Sequence, residues 1–292
     1  MAPNLQTFGT SALMVLSAIL VSAQVVGQPS MQQSTDVPQG WYVYPDEELK
    51  SATVSDRRCF NYSRREWRVT VEGGEAQVTE KRKVQDETPA LPPRLVHQQG
   101  MTGLRSATRF NDEWLLAYDG GEFGGGLWLT NEDGSEAKRI FNSDVQAVVA
   151  LEKGVLILSG LDHMGLDVGN ALVYSTPHAM NMTLQESLKL DGAPSAFAQE
   201  TDGSVLFITT HSLCRITKSG QLKILHTLPR WIAQQYANSM AITADGTIYV
   251  GMRMFVLKLN DKGGMYNEEW LLPNDCRKFY LDVTKVDCAC TP

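Results

Sequence analysis

The sequence lacks the short signatures by which many enzymes are recognised. It has no Gly-x-Ser-x-Gly elbow, no Gly-x-x-x-x-Gly-Lys phosphate loop, no His-Glu-x-x-His pair and no Gly-x-Gly-x-x-Gly opening a helix, so no motif specifies a reaction. The five histidines are dispersed, and Cys-x-x-Cys is absent, which removes the usual zinc spacing. Basic residues do not dominate either: 26 Lys and Arg against 33 Asp and Glu leave a net charge of −7 over 292 residues. The global positive field that a phosphate backbone demands is missing, and nucleic acid is not an expected partner. Long apolar runs are scarce, since the only one, residues 11–26, is shorter than the roughly 20 residues of a membrane span. With 43% hydrophobic and 20% charged residues, the composition is that of a globular protein.

That single run has a different use. No charge occurs before Asp36, and Val21, Ser22 and Ala23 follow the apolar stretch with small residues, the pattern of a cleaved secretory signal. The expected organisation is a signal peptide at residues 1–23, a mobile leader at 24–40 and a single domain at 41–292. The mature protein is expected to be secreted or periplasmic, with no stable membrane insertion after cleavage. In that compartment cysteines oxidise. Cys59, Cys276, Cys288 and Cys290 are the disulfide candidates; Cys288 and Cys290 are too close in sequence to bond one another well. Cys214, inside an apolar run, is expected to stay a packed thiol.

The middle of the chain repeats. Residues 111–118, 152–159, 201–209 and 244–250 are each a tight polar turn followed by a short β-type run, and the runs start at Trp114, Val155, Val205 and Ile248, spaced 41, 50 and 43 residues apart. Each turn has one strand-like segment before it, and each run has two after it. Four strands per unit at this period define an all-β fold, a β-propeller of four-stranded blades. A propeller must leave no open blade edge, so five blades are expected, the fifth shared by a hairpin at 67–81 and a strand at 279–286. A sixth is possible if residues 41–44 and 57–62 add strands. An irregular β-sandwich would leave the recurring turn unexplained.

Residues 238–250 (NSMAITADGTIYV) resemble the blade signature of NHL-repeat and gluconolactonase-like propellers, in which an Asn-led start precedes an Asp-Gly turn and a Tyr-Val strand. The resemblance covers only these residues. It implies the propeller fold, and in the calcium-dependent hydrolases of that kind the Asn binds the metal. Asn238 is its counterpart and the weak metal candidate, with Ser239 in place of the usual Gly. Counting back seven positions from the turn in the other units gives Ser195, Gln146 and Arg105, which are not the oxygen-rich set a hard cation takes. No cofactor is therefore expected, with calcium as the alternative.

In a propeller the connections between the second and third strands gather on one face. Here they are residues 119–126, 160–169, 210–212 and 251–254, and they bring Asp119, Glu122, Phe123, Asp162, His163, Asp167, His211 and Arg253 together. Glycines in the first two permit unusual loop shapes, and Phe123 offers an aromatic anchor to a protein or glycan partner. The expected function is an exported binding or inhibitory module acting through these loops. The alternative is a gluconolactonase-like calcium-dependent hydrolase. Ten basic residues against six acidic ones between Arg57 and Arg105 mark a solvated face or a site for an acidic partner.

Overall fold

A computed structural model describes residues 37–81, 103–152, 154–178, 180–282, 284–285 and 287–291. The signal-peptide expectation and most of the leader lie outside these residues. The chain opens with β1 (Trp41–Val43), α1 (Asp46–Ser51), α2 (Val54–Tyr62) and the hairpin β2 (Trp67–Glu72) and β3 (Glu75–Glu80). Four antiparallel sheets follow in sequence. The first comprises β4 (Leu104–Phe110), β5 (Glu113–Asp119), β6 (Gly125–Asn131) and β7 (Ala137–Phe141), and the second β8 (Val145–Leu151), β9 (Gly154–His163), β10 (Leu166–Tyr174) and β11 (Leu184–Lys189). The third comprises β12 (Pro194–Gln199), β13 (Val205–Thr209), β14 (Ser212–Ile216) and β15 (Leu222–Thr227). The fourth has β16 (Ser239–Ile242), β17 (Ile248–Gly251), β18 (Val256–Asp261) and β19 (Tyr266–Pro273), with β1 added outside β19. A last hairpin, β20 (Lys278–Asp282) and β21 (Asp287–Thr291), ends the described chain. The all-β architecture and the four repeated units agree with the sequence.

The recurring turn has a chemical cause. Asp202 Oδ1 accepts the Ser204 amide at 2.8 Å and Asp245 Oδ1 accepts the Thr247 amide at 3.1 Å, while Gly203 and Gly246 take φ of 86° and 85°. The Asp closes the turn on its own backbone and the Gly supplies the left-handed step. These same hydrogen bonds, the Ser204 amide at Asp202 and the Thr243 hydroxyl first at Asp245, hold both carboxyls below the usual range.

The strand after each turn reads as a continuous apolar run because both of its faces are covered. Leu115 and Ala117 of the first sheet pack with Val148, Val155 and Ile157 of the second. On the other face of the second sheet, Leu156 and Leu158 meet Val205, Phe207 and Cys214 of the third. Leu206 and Ile208 then meet Ile248, Val250 and Leu257 of the fourth, whose far face, with Tyr249 and Val256, is covered by Trp41, Trp67 and Val69. The first strands β4, β8, β12 and β16 adjoin in that order, and β2 comes next after β16.

The chain ends depart from the expected shared blade. The hairpin β2–β3 forms a sheet of its own against β16 and β17, and the C-terminal strands do not join it. The N-terminal strand β1 pairs with β19 instead, Trp41 opposite Pro273. Residues 57–62 are helical and not a strand: Thr53 and Asp56 form a reciprocal capping box that starts α2. The segment at 279–286 is the first half of a hairpin that packs on α2.

Two disulfides join these pieces, Cys59–Cys288 and Cys276–Cys290. Phe60 of α2 meets Phe255 and Phe279 edge-on, at centroid distances of 5.0 and 4.8 Å. Cys214 is a free, buried thiol, and burial pushes its pKa up to about 12. The bridges close loops of very different size, with sequence separations of 229 and 14. In the chain-entropy account, removing the first by C59S/C288S should cost about 5 kcal/mol and removing the second by C276S/C290S about 3 kcal/mol. Chemical denaturation of the two double variants should show that order.

Candidate functional site

The second-to-third-strand connections are tighter than the sequence indicated. Between β5 and β6 a single 3-10 turn, Gly121–Phe123, is set by the Gly121 amide donating to Asp119 Oδ1 at 3.0 Å. It leaves Phe123 85% exposed. The expected loop at 160–169 is instead the end of a long hairpin. β9 and β10 stay paired until His163 faces Leu166, and Met164 and Gly165 turn the chain at φ of 49° and 84°. Two other glycines there serve close packing: a Cβ at Gly160 would run into the Val168 carbonyl, and one at Gly169 into that of Gly192. Gly121, Gly124 and Gly165 take positive φ and Gly160 and Gly169 admit a neighbouring backbone, so both uses of glycine that the sequence offers occur here.

The hairpin tip is bonded to both neighbouring sheets. His163 Nε2 lies 2.9 Å from Glu122 Oε2 of the 3-10 turn. Asp167 accepts the Ala193 amide at 2.8 Å and the Thr210 hydroxyl at 2.8 and 2.9 Å, and its Oδ2 lies 2.9 Å from His211 Nε2. Asp162 sits directly opposite Asp167 in the strand register. Burial first, and the Asp167 carboxylate second, raise the Asp162 carboxyl above the usual range despite the two histidines. Leu166 pairs with His163, and Val168 with Leu161. Strand alternation thus places Leu166 and Val168 on the His163 face, toward Glu122.

Of the eight anticipated residues, Glu122 and His163 pair on one face of the hairpin, with Phe123 next to Glu122 in the turn, and Asp162, Asp167 and His211 gather on the other. Arg253 joins neither group. It pairs with Glu66 at 3.2 Å, donates to the Asn61 carbonyl at 2.9 Å and stacks on Tyr236, holding α2 and the start of β2 to the fourth sheet. Asp119 belongs to a separate polar group. Its Oδ2 receives Arg105 Nε and Nη2 at 2.9 and 2.5 Å. Burial opposes its charge, but Arg105 and the Gly121 amide hold the carboxyl below the usual range. Asp144, only 4% exposed, goes the other way: burial, then the adjacent Asp119 charge, push its carboxyl up.

Sequence reasoning missed Asp144 for a reason that the register shows. Shifts in strand pairing occur between Leu104 and Ser106, Val145 and Ala147, and Pro194 and Phe197, whereas β16 pairs regularly with β17. Each shift inserts a single residue, at Arg105, at Gln146 and at Ser195 or Ala196, so a count back from the turn lands on the irregular residue itself and Asp144 lies two residues earlier than Gln146. Among the described residues, no group of three or more His, Cys, Asp and Glu is arranged to hold a metal ion. Asn238 itself accepts the Ser239 hydroxyl at 2.9 Å through Oδ1.

No family model and no curated protein matches the chain. Among solved structures it is similar to a streptogramin B lyase at 11% identity, over 59% of this chain and 56% of that one, with a TM-score of 0.39. It is also similar to the virginiamycin B lyase of Staphylococcus aureus, at 12% identity over 70% and 69% of the two chains and a TM-score of 0.36. A third is a protein from Lactobacillus plantarum, at 14% identity over 70% and 62% and a TM-score of 0.43. The chain spans about 56% of the lyase named first. These similarities are to propeller proteins and concern the path of the chain alone.

The raised Asp144 carboxyl fixes a pH dependence. The folded protein holds its proton more tightly than the unfolded chain does. Stability therefore falls as pH rises from the ordinary Asp value of about 3.9 through the raised folded value, and stays lower above it. Asp144→Asn should raise the thermal midpoint by a few degrees at neutral pH and leave it unchanged at pH about 3, where both states are protonated. Thermal melts of the two proteins across that range test the sign.

Proposed function

We propose that this protein is an exported five-bladed β-propeller that binds a protein partner through the tips of its first two sheets. The observation that carries the proposal is the exposure of apolar side chains at two adjacent tips, Phe123 at 85% and Met164 at 88%. Leu166 and Val168 extend the same surface at 49% and 42%, and the Glu122–His163 pair fixes one tip against the other. Large apolar side chains gathered at one place on a surface mark an interaction site. A rim of Phe, Met, Leu and Val suits a protein surface better than a sugar, which favours flat aromatic platforms with polar neighbours. The pair of disulfides supports an oxidising compartment. Among the described residues no helix is long and apolar enough to cross a membrane. The place of β2 directly after β16 supports a fifth blade built on the hairpin β2–β3.

Because both side chains are exposed, F123A/M164A should change the thermal midpoint by less than about 2 °C. Immobilised wild-type protein exposed to extracellular fluid of the source should retain a partner that the double variant does not. A midpoint drop of many degrees would show that Phe123 serves packing, and equal retention of the partner by both proteins would exclude these tips as its site.

A further inference from the structure

A cavity of about 490 Å³ opens between the first strands β2, β12 and β16, away from the tips of the first two sheets. Its size is that of a small-molecule site. Arg68 is the one ionisable residue among the described residues that line it, and no carboxylate does. The Arg68 guanidinium has no hydrogen-bond or ion-pair partner among the described residues. The cavity therefore carries one exposed, unneutralised positive charge.

Asn238 adds a second donor. The Val69 amide donates to Ser239 Oγ at 3.0 Å, so the hydroxyl hydrogen is free to donate to Asn238 Oδ1 at 2.9 Å. That bond orients the amide. Asn238 lines the cavity, and its Nδ2 is buried without an acceptor. A buried donor left unmatched is destabilising, and an acceptor entering the cavity would relieve it. Phe197 and Val71, 36% and 39% exposed, supply apolar wall.

We propose that this cavity binds a small organic carboxylate, its oxygens taken by the Arg68 guanidinium and Asn238 Nδ2 and its apolar part resting on Phe197 and Val71. The planar guanidinium fork matches a carboxylate in two-pronged fashion. The same Arg68 opposes a cation at Asn238, so the signature Asn has a different use here from the one its resemblance implies.

The full-length protein can be titrated with anilinonaphthalene sulfonate, an aromatic anion, by fluorescence. Phenylacetate should displace the dye and neutral phenylacetamide should not. R68Q should weaken dye binding about tenfold or more, F197A should weaken it as well, and N238D, which places a carboxylate in the cavity, should abolish it. F123A should bind the dye as the wild type does, which separates this site from the proposed partner surface. Wild-type dye binding by both R68Q and N238D would overturn the proposal, as would displacement by phenylacetamide as effective as by phenylacetate. Loss of the dye in F123A alone would also overturn it, because the dye would then report the tips and not the cavity.

Discussion

The structure depends on one constraint: each of the four repeated sheets is apolar on both faces, so none can stand without a neighbour on either side. Leu115 faces the second sheet and Leu156 the third, while Leu206 in turn reaches the fourth. The fourth sheet is left with Tyr249 and Val256 to cover, and the N-terminal Trp41 and Trp67 cover them, their rings meeting edge-on at 4.7 Å. The unusual start of the chain, with a lone strand, two short helices and a two-stranded hairpin, follows from that need. It also explains Ser239. Where the resembled signature has Gly, this hydroxyl takes the Val69 amide and ties β2 to β16.

Much of this was legible in the residues. The Asp-Gly turns carry their own hydrogen bonds, and the runs after them are apolar on both faces, so period and strand count could be read locally. The ends were harder. Trp41 finds Pro273, and Cys59 finds Cys288, pairings between distant residues that no local pattern encodes. Residues 57–62 carry β-compatible side chains, but the capping box at Thr53 and Asp56 decides for helix.

The site was legible by residue type and less so by geometry. Glu122, His163, Asp167 and His211 were named from loop placement, and they form two pairs, Glu122 with His163 and Asp167 with His211, that link three sheets. Arg253 was misplaced because a positive charge on a loop looks the same whether it faces solvent or, as here, Glu66 and Tyr236. Asp144 was missed because a count back from the turn lands on the inserted residue Gln146, two positions past it. Met164 carries no signal at all until the hairpin turn exposes it.

The pairing of β1 with β19 sets a timetable for synthesis. Ribosomes deliver Trp41 more than two hundred residues before its partner Pro273, and Trp67 long before Tyr249. Throughout that interval the first strand and the two tryptophans have no surface to cover, while the first three sheets can already stack in order as they emerge. The earliest residues of the domain are thus among the last to be placed, and during translation they present apolar side chains to whatever chaperones attend the chain.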